Sequence, residues 1–348
     1  MTVFYDIAVV GATGVVGETI LQLLYERQFP VGEIYPIASE NSEGKSVLFG
    51  GKQKKVRNLA KFDFSTVQFA FFSAGAERSA EYAPRAAETG CIVIDNTSHF
   101  RYEDDIPLVV PEVNPSALEN YRNRNIIANP NCSTVQLVVA LKPIYDAVGI
   151  TRVNVATYQS VSGAGRQAIR ELAEQTAHLL NGEPIKKSSV FPAQIAFNAL
   201  PHIDIFYENG YTKEEMKIVW ETQKIMGDVN LWVNPTAVRV PVFFGHSEAV
   251  HIETRDPISL EEVRECLAQA PGVIVVDENN SYPTAISHAA TASADAVFVG
   301  RIRKDISYPN GVNFWIVVDN IRKGAALNAI QIAEVLINEN FFADGTFH

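Results

Sequence analysis

At 348 residues, with 47% hydrophobic and 20% charged residues, the chain is long enough for two domains and has an ordinary globular composition. A formal charge of −11 argues against nucleic acid or an anionic membrane as partner, since both require a basic face. Three cysteines, Cys91, Cys132 and Cys266, are too few for a disulfide framework; with no basic leader and no apolar run of membrane-spanning length, the expected location is the cytoplasm.

The first apolar run, 7–10, reads as a strand buried on both faces. It stops at Gly11-Ala12-Thr13-Gly14-Val15-Val16-Gly17, after which Val16, Ile20, Leu23 and Leu24 recur at helical spacing and predict a helix over 15–27. A dinucleotide fold needs small residues at such a junction. They let the chain turn tightly, let backbone N–H groups approach a pyrophosphate, and let helix pack on strand. Gly11, Thr13, Gly14, Val15, Val16 and Gly17 are therefore candidate cofactor contacts, in G-x-x-G-x-x-G spacing. A second strand is expected over 34–38. The loop after it, 40–46, contains no arginine, and Ser39 and Ser42 suit a 2′-phosphate while Glu40 and Glu43 oppose one. These residues leave NAD and NADP both open.

Further strands are expected over 69–72, 91–94 and 126–128, with a helix over 77–89 between the first two. Strands alternating with helices mean a parallel, doubly covered sheet. After a helix over 134–148 the pattern changes. Strands over 153–158, 238–242, 249–254, 296–303 and 313–318 outnumber helices over 166–180 and 260–268, as in a largely antiparallel α+β sheet. A last amphipathic helix covers 325–338, and 277–281 reads as a loop. The expected fold is α/β: a Rossmann-type dinucleotide-binding domain first, then an α+β domain with a largely antiparallel sheet.

Asn129-Pro130-Asn131-Cys132-Ser133-Thr134 follows a strand and opens a helix. A cysteine at a helix start has its thiolate favoured by unpaired N–H groups and the helix dipole, which makes Cys132 the candidate nucleophile. Cys91, in an apolar strand, and Cys266, in a helix, read as structural. A thiol nucleophile needs an acid/base partner. His246, in Phe244-Gly245-His246-Ser247-Glu248 between two strands, is the candidate, with His99 its competitor beside Arg101.

These segments, with Tyr158-Gln159-Ser160-Val161-Ser162-Gly163-Ala164-Gly165, Glu221-Thr222-Gln223-Lys224 and Arg239-Val240-Pro241-Val242-Phe243-Phe244-Gly245-His246, resemble the aspartate-semialdehyde dehydrogenase family, in its order and spacing over nearly the whole chain. The resemblance implies conversion of L-4-aspartyl phosphate and NADPH to L-aspartate 4-semialdehyde and phosphate, in the route to lysine, diaminopimelate, threonine and methionine. It implies Cys132 as nucleophile, His246 as acid/base and Gln159 as the residue orienting the acyl intermediate. Arg239 would hold the substrate carboxylate, Glu221 its ammonium, and Arg101, Lys224 and Asn131 the phosphate. Ser162, Gly163, Asn320 and Gln331 would contact the cofactor, and the protein would be a homodimer. The resemblance also implies that the C-terminal helix completes the first domain, so that 1–132 with 325–348 would bind the dinucleotide and 133–324 would form the central catalytic and dimerisation domain. NADP is the expected cofactor, with NAD the alternative because Asn41 stands where NADP-using members usually carry arginine. The alternative functions are N-acetyl-glutamyl-phosphate reductase, whose substrate has an acylated amine, and a cofactor-binding relative without catalysis.

Overall fold

The computed structural model describes residues 3–185, 188–278, 280–289 and 295–339. Lys186 and Lys187, Asn279 in the expected loop 277–281, and the tail 340–348 of the first expected domain lie outside the described residues. Two compact units are present: residues up to Asn131 together with those from Ala325 onward, and Cys132–Gly324.

The first unit is built on a six-stranded sheet. Its chain runs β1 (Tyr5–Val10), α1 (Val15–Glu26), β2 (Val31–Ala38), β3 (Ser46–Phe49), β4 (Lys52–Lys55), β5 (Arg57–Asn58), β6 (Phe69–Phe72), α2 (Ala76–Glu88), β7 (Ile92–Asp95) and β8 (Ile126–Ala128). The strand order is β5-β2-β1-β6-β7-β8, every pair parallel. Strands this apolar need cover on both faces, and Ile7, Val9, Phe69, Phe71, Ile92 and Ile94 join one core with Leu23 and Leu24 of α1 and Ile330 and Ala333 of the C-terminal helix Leu327–Asn338. The strand order reverses between β1 and β6, the switch point at which open α/β sheets bind ligands. The stretch 40–46 holds a 3-10 turn, Glu40–Ser42, and leads into a β3–β4 hairpin not anticipated from the pattern. Gly50 and Gly51, both at positive φ (55° and 76°), make its two-residue turn.

The second unit runs α3 (Cys132–Val148), β9 (Ile150–Gln159), α4 (Arg166–Leu180), α5 (Lys213–Met226), β10 (Trp232–Arg239), β11 (His246–Thr254), α6 (Leu260–Gln269), β12 (Val273–Val275), β13 (Val297–Lys304) and β14 (Gly311–Val318). Its sheet order is β10-β9-β11-β14-β13-β12. The three central pairings are antiparallel and the two outer ones, β10–β9 and β12–β13, parallel. Helix α3 lies across one face, against β9, β11, β13 and β14, with α5 and α6 beside it.

One sequence expectation needs correction here, and one helix was missed. The strand expected over 238–242 is β10, which ends at Arg239; Pro241 has no N–H to donate and Gly245 sits at φ 87°, so 240–245 forms a loop. Pro235 inside β10 disguised the strand, and is tolerated because β10 is a sheet edge. Helix α5 had no expectation, although its start is signalled by a capping box in which Thr212 and Glu215 satisfy each other's backbone N–H groups.

Candidate active site

The glycine loop fits a dinucleotide. Gly11 lies at φ 90°, and a Cβ added there would sit 2.8 Å from Ser73 Oγ, beyond the end of β6. A Cβ on Gly17 would be 2.2 Å from Gly11 O, so only glycine lets α1 pack this closely on the loop. Gly14 caps α1 with no side-chain hydrogen bond, leaving the helix start to a ligand's oxygens. Thr13, Val15 and Val16 are half-buried around it. Beyond β2, Ser39 caps the Glu40–Ser42 turn, Asn41 is exposed, and Lys45 Nζ donates to Ser42 Oγ at 3.3 Å.

At the far strands of the same sheet, buried Asp95 accepts from Ser79 Oγ (2.9 Å), Thr97 N (3.0 Å) and Thr97 Oγ1 (2.8 Å). That shapes the loop bearing Arg101, whose Nη2 donates to Asn96 O at 2.9 Å. Arg101 and Asn131 are both buried. His99 packs its ring edge-on against Phe100. Gln331 Nε2 donates to Glu112 Oε1 at 2.9 Å.

The second unit gathers the remaining candidates at one end of its sheet. Parallel pairing sets Gln159 beside Arg239 at the ends of β9 and β10, and antiparallel β11 begins there with His246. Cys132, partly exposed and in no disulfide, is the first residue of α3. A Cβ on Gly324 would meet Cys132 Cβ at 2.8 Å, so glycine is required against the thiol. Gln159 Nε2 donates to Ser133 Oγ (3.0 Å) and to Glu214 Oε1 (3.1 Å), linking the first turn of α3 to the first turn of α5. Arg239 Nη1 donates to Ser160 O at 2.7 Å.

Charge in this cluster is strongly organised. Burial alone would raise the Glu214 carboxyl, but the charge and hydrogen bond of Lys217, with Gln159 and Arg239, bring it down to about 2, so it is an anion. Burial lowers Arg239, against the opposing charges of Glu214 and a Cys132 thiolate. The helix start and this guanidinium both favour negative charge on the Cys132 sulfur. Burial, reinforced by Arg239, drives His246 down to about 3, leaving it neutral at ordinary pH. Ser160 N–H, which can only donate, points at His246 Nδ1 (3.1 Å). Nε2 therefore carries the ring proton, and that atom is buried with no protein partner. Ser160 Oγ links Nδ1 (3.1 Å) to Asn320 Oδ1 (3.0 Å), which also accepts from Gly245 N (3.0 Å) and Ser162 Oγ (3.2 Å).

Gly163 is exposed, and a Cβ there would lie 3.1 Å from Arg239 Nη1 and 3.3 Å from His246 Nε2. Imidazole and guanidinium thus border one small space at the mouth of the cluster. Gly163→Ala is expected to lower kcat/KM by roughly tenfold or more, since displacements of this size at reacting groups are costly. The melting temperature should hold, as φ at Gly163 is not positive. Unchanged kinetics would show that the space is not used.

The sequence pointed to Glu221 and Lys224, but the acid–base pair against Gln159 is Glu214 with Lys217 Nζ at 3.0 Å. Both pairs share the i,i+3 spacing on α5, which made them indistinguishable by pattern. Glu221 is buried two turns further on, about 10 Å along the axis. Ser160 also went unnoticed, because its contribution is largely a backbone N–H.

Two family models match the chain. Residues 6–121 match the semialdehyde dehydrogenase NAD binding domain and residues 141–323 the semialdehyde dehydrogenase dimerisation domain. The chain is thus, in class, a semialdehyde dehydrogenase and an oxidoreductase. An aspartate-semialdehyde dehydrogenase of Shewanella sp. (strain DB6705) is 60% identical over 337 residues, covering 97% of this chain and 99% of the relative. The crystal structure of aspartate semialdehyde dehydrogenase II of Vibrio cholerae complexed with ASA superposes with TM-score 0.95 at 59% identity, covering 98% of this chain and 100% of that one. That of aspartate semialdehyde dehydrogenase with NADP from Candida albicans does so with TM-score 0.77 at 25% identity, covering 97% and 99%. The chain belongs to the aspartate-semialdehyde dehydrogenase family.

Proposed function

We propose that this enzyme reduces L-4-aspartyl phosphate to L-aspartate 4-semialdehyde with release of phosphate, using NADP and a thioacyl intermediate on Cys132. It would serve, in the cytoplasm, the route to lysine, diaminopimelate, threonine and methionine. The observation carrying this reading is the convergence of Cys132, Gln159, Glu214, Arg239 and His246 at one sheet end, with a neutral imidazole presenting Nε2–H.

Cys132 thiolate attacks the acyl carbon and phosphate leaves, giving a thioester, a better hydride acceptor than a carboxylate. Arg101, with Asn131, Lys217 and Lys224 as further candidates, would offer charge and hydrogen bonds to that phosphate. A bound nicotinamide supplies the hydride. His246 Nε2–H then donates to the oxygen that becomes an alkoxide, and recovers its proton as the C–S bond breaks and the carbonyl re-forms. Arg239 presents its planar fork to the substrate α-carboxylate. Anionic, buried Glu214 suits the ammonium better than Glu221, because it already touches Gln159. An N-acylated substrate would have no use for that anion, which argues against N-acetyl-glutamyl-phosphate reduction. Gln159, by tying Glu214 to Ser133, orients the acyl group between them.

The first unit, with the C-terminal helix, is assigned to dinucleotide binding, including Gly11, Thr13, Gly14, Val15, Val16, Gly17, Ser39, Ser42 and Gln331. Ser162, Gly163 and Asn320 are assigned to the nicotinamide end. NADP is preferred because Lys45 brings a cation to Ser42 Oγ, which offsets Asn41. Steady-state oxidation of aspartate semialdehyde with phosphate, run with NADP and NAD in parallel, should give the higher kcat/KM with NADP; a strong NAD preference would reverse the assignment. The second unit is assigned to catalysis and to homodimer formation. Support comes from the apolar recess of about 810 Å³ lined by Ala249, Tyr282, Pro283, Ile286 and Trp315, in which Ala249 and Trp315 stand on the sheet face opposite His246 and Glu248. Among the described residues no helix is long and apolar enough to cross a membrane.

A further inference from the structure

We infer that Glu248 is uncharged and closes a cyclic acid–amide pair with Gln136, and that this pair sets the spacing between the helix that starts at Cys132 and the strand that starts at His246. Glu248 stands two residues after His246 on the same face of β11, and Gln136 one turn after Cys132 on α3. Both side chains are completely buried. Gln136 Nε2 donates to Glu248 Oε1 at 2.7 Å. The two remaining oxygens, Gln136 Oε1 and Glu248 Oε2, are buried and have no hydrogen-bond partner.

As a carboxylate, Glu248 would leave both of those oxygens as acceptors with no donor, at a cost that buried polar groups in folded proteins rarely bear. One proton on Oε2 satisfies both at once: the O–H donates to Gln136 Oε1 while Nε2–H donates back to Oε1. The surroundings offer no countercharge. Ladder neighbours of Glu248 are Thr157 on β9 and Ile316 on β14, α3 contributes the uncharged Gln136, and His246 on its own strand is neutral. Burial accordingly pushes its carboxyl well above the ordinary carboxylate range. Glu248 is a positioning residue: it touches neither substrate nor cofactor, and acts through the placement of Cys132 and His246.

Infrared difference spectra of wild type minus Glu248→Gln at about pH 8 should contain the carbonyl stretch of a protonated carboxyl. A carboxylate signature in its place overturns the proposal. Glu248→Gln reproduces the cyclic pair as amide–amide and should keep kcat within about threefold, whereas Glu248→Val should lower kcat roughly tenfold with KM little changed. Equal impairment of the two variants overturns the pairing, and wild-type kcat in Glu248→Val overturns the positioning role. If the valine variant does not fold, the glutamine variant and the spectrum still decide. The raised carboxyl stabilises the fold below the unfolded value of 4.5 and loses that contribution as pH rises. The melting temperature of Glu248→Gln relative to wild type should therefore climb from about pH 5 to about pH 8; a constant difference overturns the neutral state.

Discussion

Cys132→Ala is expected to lower turnover by more than about 10⁴-fold, as removal of a covalent nucleophile does, while cofactor binding survives. The sulfur stands at the first residue of α3, where helix-end N–H groups favour an anion by up to about 2 kcal/mol, and Arg239 adds its charge. No other side chain in the cluster can replace it: Ser133 Oγ is already held by Gln159, and the alcohol would be a far weaker nucleophile at neutral pH. Intact-mass spectra should show an acyl adduct when wild type is mixed with aspartate semialdehyde, oxidised cofactor and no phosphate. The alanine variant should show none, with cofactor affinity unchanged by titration. Residual turnover near the wild-type level, or an adduct on another residue, would remove Cys132 from the mechanism.

His246→Ala should cost about 10²–10⁴-fold in kcat, the usual worth of a positioned acid/base. The pH dependence is more specific. A histidine with its folded value depressed from 6.5 to about 3 stays neutral in the native state while the unfolded chain takes up a proton below 6.5. Its contribution to stability is therefore present above the unfolded value and lost as pH falls from there towards the folded one. In the free enzyme, the acidic limb of kcat/KM owed to His246 should lie far below the ordinary imidazole value. A limb near 6.5 in wild type that vanishes in His246→Asn would contradict the buried, neutral imidazole. Ser160 is the reason this proton sits on Nε2: a backbone N–H at 3.1 Å cannot reverse its role, so Nδ1 must accept. The competitor His99, packed on Phe100, has no comparable fixed partner among the hydrogen bonds of its ring.

Much of the fold is legible in the sequence. Apolar runs at 7–10, 69–72 and 126–128, each ended by glycine or polar turn residues, read as strands covered on both faces. The glycine spacing after the first identifies the switch point because chain turning, phosphate approach and helix packing each demand a missing Cβ. Cys132 was legible for a related reason: Pro130 and the asparagines mark a turn, and a thiol immediately after a turn and before a helix has a polar environment set by local geometry. These are short-range properties, and the sequence by itself determined them.

Tertiary structure decided what depends on which surfaces meet. The Glu–Lys pair is the clearest case: Glu214–Lys217 and Glu221–Lys224 have the same spacing on one helix, and only the docking of α5 beside β9 and β10 brings Glu214 to Gln159. Strand β10 was mislocated because its proline is admissible only at an edge, and edge or centre is a property of the whole sheet. The neutrality of His246 and Glu248 likewise has no signature in the residues around them. It arises when α3 covers β11 and removes water from both side chains, and desolvation is set by packing between segments more than a hundred residues apart.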